Sequence, residues 1–281
     1  MERMSVTTLA PATTGSGRRV GRLFMCPPTY FGVDYRINPW MDPSRPVDTP
    51  KALAQWDRLA GTYRELGLDV VLAEPVAGLP DMVFTANAGL VQGGRVLLAR
   101  FRFRERAPEA AAYAEAFRAA GYTDVTQSAY VNEGEGDYLA AGAVVLGASG
   151  FRTDPRSHDE VAEFTGRPVV PVELVDPRFY HLDTALAVVD EGLVAYWPGA
   201  FSSASQRVLA ELFPDAVIAT EGDAVAFGLN AFSDGHTVVL SGGAPGLSAA
   251  LWDRGFATVA LDTSELQRAG GAVKCCTLEL G

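Results

Sequence analysis

Near the C-terminus the run Gly270-Gly271-Ala272-Val273-Lys274-Cys275-Cys276-Thr277-Leu278 sets a glycine pair just ahead of two thiols. Glycine lets backbone and ligand approach closely, and a thiolate is a strong nucleophile. A lone buried cysteine is more often a small hydrophobe than a catalyst, so a chemical reading needs further elements. His181-Leu182-Asp183-Thr184 supplies one. In an extended chain His181 and Asp183 project from the same face, which sets an imidazole beside a carboxylate, the arrangement general acid/base chemistry uses. Such a triplet alone is structural at least as often as catalytic. Two acidic stretches supply the other: Leu79-Pro80-Asp81-Met82-Val83-Phe84-Thr85-Ala86-Asn87 and Asn132-Glu133-Gly134-Glu135-Gly136-Asp137. Carboxylates among glycine and apolar residues are costly to bury without a cation or hydrogen-bond donors. A planar guanidinium, with several N–H donors, matches them. Each stretch taken singly is a surface turn about as often as a site. His158, at a helix start, and His236, in an Asp-Gly turn, read as surface or capping residues.

The elements that must position these groups alternate between strand-like and helix-like segments. Period-two or continuous apolar runs predict strands at Arg22–Cys26, Leu68–Ala73, Met82–Val91, Arg95–Arg100, Ala143–Leu146, Val169–Leu174, Thr184–Val189, Gly192–Trp197, Ala216–Ala219, Thr237–Ser241 and Ala257–Ala260. Three- and four-residue apolar spacing predicts helices at Pro50–Leu66, Pro108–Ala120, His158–Thr165, Ser203–Leu212 and Gly246–Arg254. Pro108 suits a first turn, and Ser203 and Ser248 suit caps. A faint repeat of two strands, a helix and a strand runs through the chain. Such units can close into a ring that gathers strand ends at its centre. Periodicity by itself supports mixed α/β.

Composition narrows the class. The 281 residues are 48% hydrophobic, enough for a buried core, and no Pro/Gly-rich linker divides them. The expected organisation is a tail over residues 1–19, with no apolar stretch that would serve as a signal peptide, and one α/β domain over 20–281. A net charge of −11 disfavours nucleic acid and anionic membranes as partners and mildly favours a small cation. No apolar run reaches membrane-spanning length. Three cysteines, two of them adjacent, offer no disulfide framework and fit a reducing cytoplasm. Three scattered histidines do not form the ligand clusters of a dinuclear metal hydrolase, so neither metal nor cofactor is expected.

Taken together, the segments resemble the guanidino-group modifying enzymes: arginine deiminases, dimethylarginine dimethylaminohydrolases, arginine dihydrolases and amidinotransferases. The resemblance runs from Arg22 onward. It rests on Pro80-Asp-Met-Val-Phe-Thr-Ala-Asn87, Glu133-Gly-Glu-Gly-Asp137, Gly150-Phe-Arg152-Thr, His181-Leu-Asp183-Thr and Cys275 with Cys276-Thr277-Leu278, in the family's order. It implies a fivefold pseudosymmetric α/β propeller (a pentein) with the site on its axis. Cys26-Pro-Pro and Val33-Asp-Tyr-Arg-Ile37-Asn38-Pro39-Trp40-Met41, with Asn87, look most like arginine dihydrolases. Arginine deiminases usually have Asn in place of Asp81 and Asp in place of Asn87, and dimethylarginine hydrolases tend to have Asp at both.

The resemblance further implies that Cys275 is the nucleophile, two residues before Thr277, with Cys276 turned away by strand alternation. His181 is then the acid/base; Asp183, Glu133 and Asp81 hold the guanidinium or orient His181. Arg152 and Arg106 bind the substrate carboxylate, Asn38 the amino-acid end and Asn87 the guanidinium edge. Asp137 supports the Glu133 turn, Asn230 either lines the site or ties loops together, and Arg102 and Arg104 are solvated. The expected reaction is hydrolysis of arginine through a thiouronium on Cys275, carried on to ornithine, carbon dioxide and ammonia. Dimethylarginine hydrolysis, amidino transfer and a non-catalytic arginine-binding module are the alternatives. The partner is a small guanidino compound, and homo-oligomerisation is left open.

Overall fold

The computed structural model describes residues 21–281, so the expected tail over 1–19 lies outside the described residues. The chain runs β1 (Arg22–Met25), α1 (Thr49–Glu65), β2 (Asp69–Leu72), β3 (Gly89–Gln92), β4 (Arg95–Leu98), α2 (Glu109–Ala119), β5 (Asp124–Gln127), β6 (Tyr138–Ala141), β7 (Val144–Ser149), α3 (Ser157–Thr165) and β8 (Val169–Glu173). It continues through α4 (Leu182–Ala185), β9 (Leu186–Asp190), β10 (Leu193–Tyr196), α5 (Ser203–Leu212), β11 (Val217–Ile218), α6 (Glu221–Val225), β12 (Phe232–Ser233), β13 (Thr237–Ser241), α7 (Pro245–Trp252), β14 (Ala257–Leu261) and β15 (Leu278–Glu279).

These strands form five three-stranded sheets of one topology. In each, the first two strands pair antiparallel and the last two pair parallel, with a helix carrying the chain across the parallel step. Parallel neighbours require such a crossover, and a helix supplies it while covering the strands' apolar face. The first sheet is completed from the far end of the chain: β15 pairs antiparallel with β1. That pairing brings the segment just after the thiols against the N-terminal strand. Leu23, Phe24, Met25 and Leu278 are fully buried there.

The caps explain small shifts in boundaries. Ser202, one residue before the expected cap, accepts from Ser205 N and starts α5. α7 starts at Pro245 behind Ala244, so Ser248 lies inside it. Two larger corrections concern the site. The run Met82–Val91 is not one strand: it makes two 3-10 turns, Pro80–Val83 and Thr85–Ala88, before β3 begins at Gly89. Those turns hold Asp81 and Asn87 inward. Likewise Thr184–Val189 begins as the short helix α4 and becomes strand only at Leu186. The strands β5, β6, β12 and β15 were not expected at all; their short, polar or alanine-containing runs give little periodic signal.

Candidate active site

The thiol corner is built on a turn over residues 273–276. Strand alternation therefore does not separate the two thiols as expected. Both are buried in one apolar cluster, and what distinguishes them is polar contact. A Cβ on Gly271 would lie 2.4 Å from the Phe84 ring and 3.0 Å from Cys275 Cβ, so only glycine lets the turn close. Asn230 holds the turn in shape: its Oδ1 accepts from Ala272 N at 3.0 Å and Cys275 N at 3.1 Å. Its Nδ2 donates to Asp183 O at 3.0 Å and to Cys275 Sγ at 3.1 Å. The thiol in turn donates to Asp183 Oδ2 at 3.2 Å. Phe227, at φ 59°, is the one non-glycine residue at positive φ among those described. It packs at a tilt against Trp40 and leads the chain into Asn230. Asn230 thus both lines the site and ties loops together.

The imidazole corner lies at the start of α4, where extended backbone at His181 gives way to helix. His181 and Asp183 accordingly do not lie side by side on a strand; they serve different partners. His181 Nε2 meets Glu133 Oε2 at 2.7 Å, and Arg152 Nη1 donates to that same oxygen at 2.9 Å. Arg102 N donates to Glu133 Oε1 at 3.0 Å, while its side chain is solvated like that of Arg104. Burial works against a charge on Glu133, but the Arg152 guanidinium and the His181 hydrogen bond hold its carboxyl well below the usual range. Arg152 is clamped between the rings of Phe103 and Tyr180, with its carbon 4.7 and 4.6 Å from their centroids. Tyr180 also packs at a tilt against His181, with ring centroids 4.7 Å apart, and donates to Gly270 O, which links this corner to the thiol turn. Asp137 supports the arrangement from below by accepting from Leu182 N; burial pushes it up to about 6.

The third corner holds Asp81, Asn87, Arg106 and two residues that sequence reading passed over, Tyr35 and Glu109. Tyr35 donates to Asp81 Oδ2 at 2.8 Å. Arg106 is gripped by Glu109, Nε to Oε1 at 2.9 Å and Nη2 to Oε2 at 2.7 Å. Its Nη1 donates to Asn87 Oδ1 at 2.7 Å and its Nη2 to Asp81 O at 3.3 Å. Asn87 Nδ2 donates to Glu133 O at 3.1 Å, which joins this corner to the imidazole. A Cβ on Gly136 would stand 2.2 Å from Asn87 Nδ2 and 3.4 Å from His181 Nδ1, so glycine is what lets those two groups converge. Asn38 closes the edge, donating to Ala269 O and accepting from Trp40 N.

All nine residues singled out by sequence are buried, and they form one connected cluster. Both arginines expected to bind a substrate carboxylate have internal carboxylate partners as well. Arg-x-x-Glu at 106–109, spanning a helix start, was a legible signal for Glu109. Tyr35 lies within the segment over residues 33–41 that carried the resemblance, but nothing marked Asp81 as its partner, because the contact spans 46 residues. His158 corrects a minor expectation: it is half-buried against the Tyr138 ring, not at the surface, whereas His236 is exposed.

Three buried polar atoms of this cluster have no hydrogen-bond partner: Asp81 Oδ1, Asp183 Oδ1 and His181 Nδ1. Buried polar atoms ordinarily find partners, so a set of two acceptors and one imidazole nitrogen suits a ligand rich in N–H. Burial pushes Asp183 up to about 7, against the Cys275 hydrogen bond. Burial, then Asp183, push the Cys275 thiol well above its ordinary value. A positive charge placed beside this pair would oppose both shifts, because it favours the ionised forms of carboxyl and thiol. Among the described residues no group of three or more His, Cys, Asp or Glu could hold a metal ion, and no helix is long and apolar enough to cross a membrane.

No protein-family model matches the chain. Individual relatives do. A dimethylarginine dimethylaminohydrolase of Mycobacterium tuberculosis is 53% identical over 99% of this chain and 93% of its own length. The chain belongs to the guanidino-group modifying enzymes. The bifunctional arginine dihydrolase/ornithine cyclodeaminase ArgZ of Synechocystis sp. is 38% identical over 92% of this chain, which spans only 37% of that longer protein. A crystal structure of the ArgZ N-terminal domain bound to substrate superposes with a TM-score of 0.88 at 36% identity, covering 92% of this chain and 97% of that one. With relatives that are hydrolases over nearly its whole length, the chain is a hydrolase acting on C–N bonds of linear amidines.

Proposed function

We propose that this hydrolase converts arginine to ornithine, carbon dioxide and two molecules of ammonia in two rounds on Cys275. Asn87 carries the reading. Its carbonyl is taken by Arg106 and one N–H by Glu133 O, which leaves the second N–H as a neutral donor beside His181. In the first round the guanidinium enters between Asp81, Asp183 and Glu133, and the Cys275 thiolate forms a bond to its central carbon. His181 protonates the departing nitrogen, ammonia leaves, and a planar thiouronium remains on sulfur. Water, deprotonated by His181, attacks that carbon and the C–S bond breaks, giving citrulline. Carboxylates hold the cation throughout and supply most of the electrostatic stabilisation.

Citrulline's ureido oxygen is poorly received by carboxylates, which only accept, whereas an amide N–H donates to it. Asn87 therefore retains citrulline for a second attack. Ammonia departs again, leaving a thiocarbamate on Cys275; water releases the carbamate of ornithine, which loses carbon dioxide. Arg152, through its N–H groups not committed to Glu133, and the remaining N–H of Arg106 take the substrate carboxylate, and Asn38 borders the amino-acid end. Mass analysis of products from arginine, methylated arginines, agmatine and citrulline tests this. Citrulline accumulating from arginine without ornithine refutes it.

A second reading has one observation in its favour: the 53% identical relative is named for dimethylarginine hydrolysis. On that reading the departing group is dimethylamine and the product citrulline, and the same product analysis separates the two.

The supporting architecture, on this proposal, is a fivefold pseudosymmetric propeller of strand–strand–helix–strand blades. Residues 20–281 then act as one catalytic domain, without metal or cofactor, in a reducing cytoplasm. Five sheets of a single topology and three free cysteines support it.

A further inference from the structure

Glu109 belongs to none of the motifs by which the family was recognised, yet it is fully buried at the first turn of α2, beside the site. It occupies two of the N–H groups of Arg106 in a planar, two-point grip. That grip fixes the rotation of the guanidinium, so that Nη1 points at Asn87 Oδ1 and Nη2 at Asp81 O. The Phe101 ring backs the guanidinium at 4.8 Å and prevents it from tilting away. An amide has two nearly isosteric orientations, and only a neighbour can choose between them. Here Arg106, a pure donor, forces Oδ1 toward itself and therefore turns the N–H pair toward Glu133 O and the substrate space.

We infer that Glu109, acting through Arg106, is the positioning residue that keeps the Asn87 amide turned N–H inward, and so determines whether citrulline goes on to ornithine. The inference rests on the two-round reading above. The two rounds make unequal demands. A guanidinium is all N–H, so either face of the Asn87 amide accommodates it tolerably, with carboxylates to compensate. A ureido oxygen needs a donor, so an amide flipped to present Oδ1 opposes it. Loosening Glu109 therefore harms the second round more than the first.

The experiment measures the ratio of ornithine to citrulline released from arginine by the wild type, Glu109→Gln and Arg106→Lys, with melting temperatures alongside. Glutamine has one acceptor oxygen and cannot make the two-point grip; lysine keeps the charge of Arg106 but has no fork to bridge Glu109 and Asn87. Loss of one oriented hydrogen bond to citrulline lowers the ratio about tenfold in both variants. A merely structural role for Glu109 would lower both rates and leave the ratio at the wild-type value, which would overturn the inference. Where Glu109→Gln does not fold, Glu109→Asp, which keeps the charge but is one methylene too short for the two-point grip, decides by the same criterion. A wild type that halts at citrulline overturns the two-round reading and this inference with it. A wild type that makes ornithine while the variants keep its ratio overturns this inference alone.

Discussion

Two sets of arginine–carboxylate pairs in this molecule have nearly equal lengths and unequal consequences. On exposed loops, Arg156 meets Asp154 and Arg178 meets Asp176, each at 2.7 Å. At the site, Arg106 meets Glu109 at 2.7 Å and Arg152 meets Glu133 at 2.9 Å. The loop pairs are formed two residues apart within Asp-Pro-Arg turns, the arginine also donating its backbone N–H to the same carboxylate. Water competes for both partners, and such pairs contribute little. The site pairs have side-chain exposures of 4% or less. There each charge depends on its partner, because the alternative is an uncompensated ion in a medium of low polarity. Burial, not bond length, makes one set a local turn staple and the other the frame of the candidate active site.

The sharpest way to break that contrast is to remove the hub. Glu133→Ala leaves Arg152 and His181 buried without their shared oxygen; it is expected to cost about 3–5 kcal/mol of stability and at least a hundredfold in turnover. Urea unfolding and ammonia release check this, and a wild-type unfolding midpoint would show that the buried pair is no more critical than the exposed ones. Next in size is Asn87→Asp, which gives the buried Arg106 a third carboxylate in place of a neutral amide. Arginine consumption is expected to continue and ornithine to cease, read by mass analysis; ornithine formed at the wild-type rate would remove the role assigned to Asn87.

Asp183→Asn has a smaller effect that depends on pH. Asp183 is raised from 3.8 to about 7 in the folded chain, so between those values the native state holds a proton that the unfolded state has lost. Stability contributed by this group therefore falls as pH rises from about 4 to 7, and asparagine cannot show it. Unfolding at pH 5 and pH 7.5 is expected to show the wild type losing stability relative to the variant. Parallel behaviour of the two proteins would mean that Asp183 is ionised throughout. Arg156→Ala is expected to move neither the melting temperature nor the product ratio. A clear drop in either would place that exposed pair among the structurally critical ones.

The fold was partly legible for identifiable reasons. Thr49–Glu65 and Ser203–Leu212 carry strong helical spacing, and buried strands such as Thr237–Ser241 are continuous apolar runs. The two-residue strands β11, β12 and β15 were beyond reach or only roughly placed, because two residues carry no period. The Pro80–Ala88 segment looked like strand because Met, Val and Phe favour strands, yet its turns are imposed by what the segment encloses. Ala86 N donates to Cys275 O, and Tyr113 donates to Met82 O. Within the candidate site, the residues singled out by sequence are buried close together, but their pairings were not readable. His181 and Asp183 looked like a pair and are not one; Glu133 and His181 are joined across 48 residues.

By itself, the sequence determined which groups this protein has to work with: two adjacent thiols after a glycine pair, three scattered histidines, an excess of carboxylates and an amide at position 87. It also determined the alternation of strands and helices, since apolar spacing is a local property of the chain. Only the tertiary structure decided that Cys275 donates to Asp183, that Glu133 is shared between His181 and Arg152, and that Glu109 accepts two hydrogen bonds from Arg106. Those pairings depend on desolvation and on angles between distant segments, and neither exists until the five sheets pack and exclude water.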